Sequence, residues 1–83
     1  MEENRIAIVG ILITDPDSVA EVNAILHNYS AGIIGRMGIP YREKNVNIIS
    51  IAMDAPCDMI NAAAGALGKL NGVTAKAVYS KLP

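Results

Sequence analysis

Two segments of the sequence are aliphatic on both alternating faces of an extended chain. Residues 6–14 (IAIVGILIT) and 46–53 (VNIISIAM) are rich in β-branched side chains and place apolar residues at odd and even positions alike. A half-exposed strand alternates apolar with polar residues, whereas a strand buried on both sides does not. Both segments are therefore predicted to be central strands of a sheet.

Two further extended segments have the features of edge strands. Residues 33–41 (IIGRMGIPY) include Pro40, which cannot donate a hydrogen bond to a neighbouring strand. Glycines recur at every third position in and before this segment, and we expect them to permit a bulge or a close backbone approach. Residues 73–80 (VTAKAVYS) alternate loosely, with Lys76 facing away from the alanines, and suit the opposite edge.

The first helix is predicted from a start signal and a periodic pattern. Asp15 is a good helix cap and Pro16 fits the first helical position, while Ser18 and Glu21 offer a competing capping box. Apolar residues then recur at three- and four-residue spacing as far as about Ser30. This segment is predicted to be one amphipathic helix.

A second helix completes the element order. It is predicted to start within residues 54–56 (DAP) and to run to about Leu67. The order βαββαβ is the ferredoxin-like arrangement of the α+β class. Right-handed crossovers put both helices on one face of a four-stranded antiparallel sheet, with the first and third strands at its centre. These are the two most apolar strands, so pattern and topology agree.

Two helices cover one face of such a sheet and leave the other face uncovered. The central strands nevertheless carry aliphatic side chains on both faces. The first strand has Ile6, Ile8 and Leu12 on one face and Ala7, Val9, Ile11 and Ile13 on the other. An exposed apolar face of this size favours association. We therefore expect a homo-oligomer, a dimer or a tetramer, assembled through the sheet. A ligand pocket between subunits is an alternative use of the same face.

Composition and charge narrow the classes of protein. The 83 residues are 52% hydrophobic with a mean hydropathy of +0.33, more apolar than is usual and in keeping with a face that needs a partner. This length suits one domain, residues 1–83, with a thin core. A net charge of −1 gives no basic footprint for nucleic acid or an anionic membrane. One cysteine and no signal-peptide pattern lead us to expect a cytoplasmic protein.

Residues suited to metal binding or catalysis are few. His27 is the only histidine and Cys57 the only cysteine, so one chain lacks a convergent ligand set and a Ser–His–acid motif. We predict a non-enzyme that requires no cofactor. A metal site built from His27 of several subunits is an alternative, because a symmetric oligomer multiplies a lone ligand. A structural subunit of a larger complex is a third interpretation.

Arg36 is unusual because it lies in a glycine-rich, mostly apolar edge strand. The planar guanidinium group of arginine is suited to holding a carboxylate or another anion. Asn28 and Tyr29 end the first helix, and Tyr41 ends the strand that contains Arg36. These four residues are our candidate effector-binding cluster. A solvated or salt-bridged arginine is the alternative interpretation.

Three segments together resemble a known family. They are residues 26–43 (LHNYSAGIIGRMGIPYRE), 46–56 (VNIISIAMDAP) and 60–73 (INAAAGALGKLNGV). They are similar to the small iron-only hydrogenase system regulators, and the resemblance extends over about residues 6–81. By fold, that family belongs with ACT-like domains and with the metal-sensing C-terminal domain of the nickel-responsive regulator. The resemblance implies a regulatory role and leaves the ligand open.

The sequence departs from the nickel-responsive regulator in two respects. It contains no ribbon-helix-helix or helix-turn-helix segment for direct DNA binding. Within one subunit, His27 and Cys57 also cannot reproduce that regulator's square-planar nickel site. We therefore expect a stand-alone ACT-like regulatory domain, linked to hydrogenase maturation or expression, that binds a small effector or a partner protein and has no membrane partner.

Overall fold

Four strands and two helices make up residues 3–81, the part of the chain that the computed structural model describes. The strands are β1 (Asn4–Ile13), β2 (Ile33–Tyr41), β3 (Val46–Pro56) and β4 (Val73–Tyr79), and the helices are α1 (Val19–Asn28) and α2 (Cys57–Gly68). The chain order β1-α1-β2-β3-α2-β4 confirms the predicted ferredoxin-like α+β fold.

The strands form one antiparallel sheet in the spatial order β2-β3-β1-β4. The two strands that are aliphatic on both faces therefore lie at the centre, as predicted. β1 and β3 pair from Asn4 opposite Pro56 to Ile13 opposite Asn47. At the β2 edge the register shifts at Gly35, which confirms the expected bulge.

The core lies between the sheet and the helices. Of the residues that the structure describes, β2 contributes none to the fully buried set, whereas the other strands and both helices do. The buried apolar residues are Ala7, Val9, Ile11, Ile13, Val22, Leu26, Ile49, Ile51, Met53, Ala55, Ile60, Ala63, Leu67 and Val73. The helices therefore cover β1, β3 and β4 and leave the β2 margin open.

The turn before α1 is stabilised by a hydrogen bond within the turn and by hydrogen bonds to Asn71. The carboxylate of Asp15 accepts a hydrogen bond from the backbone N–H of Asp17 and caps a short 3₁₀ turn, from which α1 follows at Val19. The Asn71 side chain also donates to Asp15, and these bonds lower the pKa of the Asp15 carboxyl. The competing capping box is absent, because the Ser18 hydroxyl donates instead to the carbonyl oxygen of Asn71, 2.6 Å away.

The prediction that α2 starts within residues 54–56 is wrong. Asp54 and Ala55 stay extended as part of β3, where they pair with Ile6 and Arg5 of β1, and α2 starts at Cys57. The ladder with β1 competes with the local helix-start signal and extends β3 by three residues. The acidic and proline residues therefore end a strand here rather than cap a helix.

Candidate functional site

The sheet face opposite the helices is apolar and exposed. We call it the open face and define it by seven side chains, which are Ile6, Ile8, Leu12, Met37, Ile39, Ile48 and Val78. Their exposed fractions range from 36% for Ile48 to 68% for Val78. The alternation of side chains along each strand puts these residues on one side and the core on the other, as predicted for β1.

The middle row of the open face is interrupted by small and polar residues. Met37, Ser50, Gly10 and Lys76 are partners in one row that crosses all four strands. A Cβ atom on Gly10 would meet nothing within 4 Å, so space is open above this position. The open face is thus a shallow depression between two apolar bands, with its lysine on the edge strand β4.

The second uncovered region follows β2 on the helix side of the sheet. Three cavities of about 330, 280 and 380 Å³ lie along it. The first two share Ile13, Pro40 and Asn47, and the last two share Asn23 and Arg36. They therefore lie next to one another along β2, and together we call them the β2 groove.

Among the described residues, the side chains with a formal charge that line the β2 groove are both arginines. Arg42 lines the cavity at the β2–β3 turn, Arg36 lines the two other cavities, and His27 shares the last cavity with Arg36. Within residues 3–81, no aspartate or glutamate lines any of these cavities. The apolar floor includes Ile13, Leu26, Ile33 and Ile49. The groove thus offers an apolar bed with basic side chains along it.

The structure separates the four candidate effector residues. Arg36 Nη2 donates a hydrogen bond of 2.7 Å to Asn23 Oδ1 of α1, so the guanidinium group is held over the groove. Tyr41 lines the neighbouring cavity, and its hydroxyl donates to Glu43 Oε2 at 3.2 Å. Asn28 and Tyr29 line none of the three cavities; Asn28 is exposed, and Tyr29 packs partly buried against the core. Arg36 is thus brought together with Asn23 and His27 instead.

A polar cluster that sequence reasoning missed closes the opposite margin of the helix layer. Tyr79 Oη of β4 donates to Asn61 Oδ1 of α2 at 2.6 Å and accepts from Cys57 Sγ at 3.6 Å. Arg5 lies over the Tyr79 ring, 5.2 Å from its centroid, and Arg5 Nη2 donates to the Ser80 carbonyl oxygen at 2.8 Å.

The surroundings of Tyr79 also affect its ionisation. Burial, followed by the hydrogen bond with Cys57, raises the pKa of Tyr79 to about 12. The sequence contains little signal for this cluster, because Cys57 and Tyr79 are 22 positions apart and each is ordinary in its own element. The β4 margin is therefore closed by side chains, in contrast to the β2 margin.

Residues 3–81 contain neither a cluster of metal ligands nor a helix able to span a membrane. No group of three or more His, Cys, Asp or Glu side chains in residues 3–81 of one chain is arranged to hold a metal ion. Across these residues, neither helix has the length and apolar character needed to cross a bilayer. His27 is exposed near the end of α1 and faces the cavity that it shares with Arg36.

Comparisons with known proteins agree with this fold. A family model matches residues 5–77; the family is TM1266-like, described as "Iron-only hydrogenase system regulator, putative". The structure of the uncharacterized protein TM1266 from Thermotoga maritima is 38% identical, with a TM-score of 0.91, over 95% of this chain and 100% of that one. Among curated proteins, none matches this sequence.

Two more distant structures share the fold alone. The C-terminal domain of the MgtC protein from Mycobacterium tuberculosis is 11% identical, with a TM-score of 0.73, over 99% of this chain and 94% of that domain. A homoserine dehydrogenase from Thiobacillus denitrificans is 19% identical, with a TM-score of 0.64, over 92% of this chain but 17% of the enzyme.

The sheet, with two helices on one side and an uncovered apolar face on the other, defines a small α+β domain with the ferredoxin-like fold. More particularly, the chain belongs to the TM1266-like family, whose description is that of an iron-only hydrogenase system regulator. This confirms the family resemblance seen in the sequence.

Proposed function

We propose that this chain is a non-enzymatic regulatory domain of an iron-only hydrogenase system, and that it acts as a homo-oligomer assembled through the open face. Its remaining surface, around Arg36, receives a small effector or a partner protein. The family supports the regulatory role. The observation that carries the proposal is the set of seven exposed apolar side chains on one sheet face.

The size of the open face suits association with a second copy. Four strands about 4.8 Å apart, each with about eight residues at roughly 3.3 Å per residue, span on the order of 500 Å² in projection. The relief of the side chains adds to this area, and stable interfaces bury about 800 Å² on each partner. A symmetric pair of open faces therefore provides an interface of the right order, and each copy removes the other's apolar surface from water.

The two charged residues that the structure describes on this face, Lys76 on β4 and Asp54 near the end of β3, lie at its margins. Lys76 lies on the edge strand β4, in the same row as Gly10 and Ser50. A lysine at the margin of an interface packs its methylene stem on apolar neighbours while its ammonium group reaches water. The central strands, which would meet at the middle of the interface, present small or aliphatic side chains there.

Self-association also gives so small a domain a means of regulation. A ligand that binds one quaternary arrangement better than another shifts the population toward that arrangement. The coupling free energy between ligand binding and association is then set by how much more tightly the ligand binds one arrangement than the other. Effector or partner binding near Arg36 would act through α1 and β2, which flank the groove.

Sedimentation velocity at micromolar concentration tests the proposal. We expect the wild-type chain to sediment as a dimer or tetramer, and Ile8→Asp to sediment as a monomer because it buries a carboxylate at the interface. Ala20→Asp is the matched control: it adds the same charge at an exposed position in the first turn of α1 and should leave the oligomer intact. A wild-type monomer at this concentration would contradict the proposal.

A further inference from the structure

We infer that the β2 groove binds an extended acidic segment of a partner protein, with carboxylate groups held by Arg36 and Arg42. This inference rests on the proposed regulatory function, for which it names the chemistry of the partner. It concerns the helix side of the sheet, away from the open face.

The distribution of charge points to an anionic ligand. The chain as a whole has eight Asp and Glu residues against seven Lys and Arg, and so is slightly acidic. Among the described residues, however, the three cavities of the groove are lined by Arg36, Arg42 and His27 and by no acidic side chain. The bond to Asn23 engages one of the five N–H donors of Arg36 and fixes its guanidinium group at the groove.

The shape of the groove points to an extended ligand. Arg36 and Arg42 are six residues apart along β2 and the turn that follows it, a separation of about 20 Å in an extended chain. Two carboxylates at a similar spacing match these two arginines better than a single small carboxylate does. An extended segment of about seven residues spans the distance and passes along the two cavities that lie between Arg36 and Arg42.

The edge of β2 supplies a second element of recognition. β2 pairs with β3 on one side, and its other side is an edge of the sheet. Extended peptides commonly add to such edges through backbone hydrogen bonds, while alternate side chains enter neighbouring pockets. Here Val19 and Pro40, which line the middle cavity and are not fully buried, provide apolar contacts for the side chains between the two carboxylates.

Fluorescence anisotropy with two labelled peptides tests this inference. The probe is a fluorescein-labelled heptapeptide, Asp-Val-Thr-Val-Thr-Val-Asp, and its control carries Asn in place of both Asp residues. We expect the acidic peptide to bind at least about tenfold more tightly, because charge-assisted bonds to arginine are lost in the control. Arg36→Gln and Arg42→Gln should each weaken binding of the acidic peptide by about tenfold, whereas Lys76→Gln, which removes a positive charge from the open face, should not.

Several outcomes would overturn the inference. Equal binding of the two peptides, or unchanged affinity in Arg36→Gln with an unchanged thermal unfolding midpoint, would exclude an acidic-segment site. Full displacement of the acidic peptide by an equimolar amount of 3-methylbutanoate would identify a small-molecule carboxylate site instead. Sedimentation distinguishes the two proposals. An oligomer that does not bind the acidic peptide would contradict this inference alone. A monomer that binds the peptide would contradict self-association alone.

Discussion

The open face and the β2 groove are both uncovered, but they differ in origin and chemistry. The open face is mainly apolar, with Ser50 and Lys76 in its middle row, and belongs to strands whose every second residue faces it. The groove exists because the two helices leave β2 without buried residues, and it combines an apolar floor with basic side chains from α1, β2 and the turn after β2. One surface is thus suited to an identical face and the other to a ligand of opposite charge.

This difference also explains what could be predicted from the sequence. The open face follows from a two-residue periodicity in the central strands, which places Ile6, Ile8 and Leu12 together on one face; which face the helices cover is seen only in the structure. The groove depends on where helices sit over a sheet, which periodicity does not specify. The proximity of Arg36 to Asn23 is therefore visible only in the fold.

The largest predicted effect is the loss of stability when a residue on the covered side of the sheet is truncated, compared with the same change at an uncovered position. Ile51 is fully buried on β3 beneath the helices, whereas Ile34 on β2 is 66% exposed. Ile51→Ala should lower the free energy of unfolding by about 2–5 kcal/mol, through lost burial and a residual cavity. Ile34→Ala should change it by less than about 0.5 kcal/mol. Urea denaturation measures both, and comparable losses would show that the β2 margin is covered after all.

Salt should affect binding at the β2 groove and association through the open face differently. Raising the salt concentration from about 50 to 500 mM shortens the screening length to a few ångström, so binding of the acidic heptapeptide to the groove should weaken by about tenfold. Association through the open face is apolar and should be unchanged or slightly stronger. Anisotropy and sedimentation across one salt series measure the two responses. If peptide binding and self-association weakened equally as the salt concentration rose, the two surfaces would not differ in their dependence on charge.

A substitution at the centre of the open face should have opposite effects on folding and on association. Gly10 has open space where a Cβ would lie, so Gly10→Val should raise the unfolding free energy of the monomer by about 0.5–1 kcal/mol. In the oligomer the new side chain fills the depression and should weaken pairing. Denaturation in an Ile8→Asp background isolates the folding effect, and sedimentation of Gly10→Val alone measures the other. Stronger association of Gly10→Val would contradict the depression as part of the interface.

The approximate positions of both helices could be predicted from the sequence, but the start of α2 and the contacts at the β4 margin could not. Local signals located both helices, yet the start of α2 was displaced to Cys57 because the ladder between β1 and β3 extended to Pro56. The contacts that seal the β4 margin join Arg5, Cys57 and Tyr79 from three elements. Such contacts depend on side-chain placement between distant segments, for which spacing along the chain offers no guide.

The smallest predicted effect concerns Tyr79 at the β4 margin. Side-chain contacts close this margin, whereas the β2 margin is open. The pKa of Tyr79 is raised to about 12, from about 10 in the unfolded chain, so between these values the unfolded chain releases the phenolic proton while the native chain keeps it. The unfolding free energy should therefore fall as pH rises from about 10 to 12. The fall should be modest, because Tyr79 is only partly buried. Tyr79→Phe, which also loses the bond to Asn61, should be less stable at neutral pH and show a shallower decline. An identical decline in both proteins, measured by urea denaturation at each pH, would remove Tyr79 as its source and leave the β4 margin sealed by packing alone.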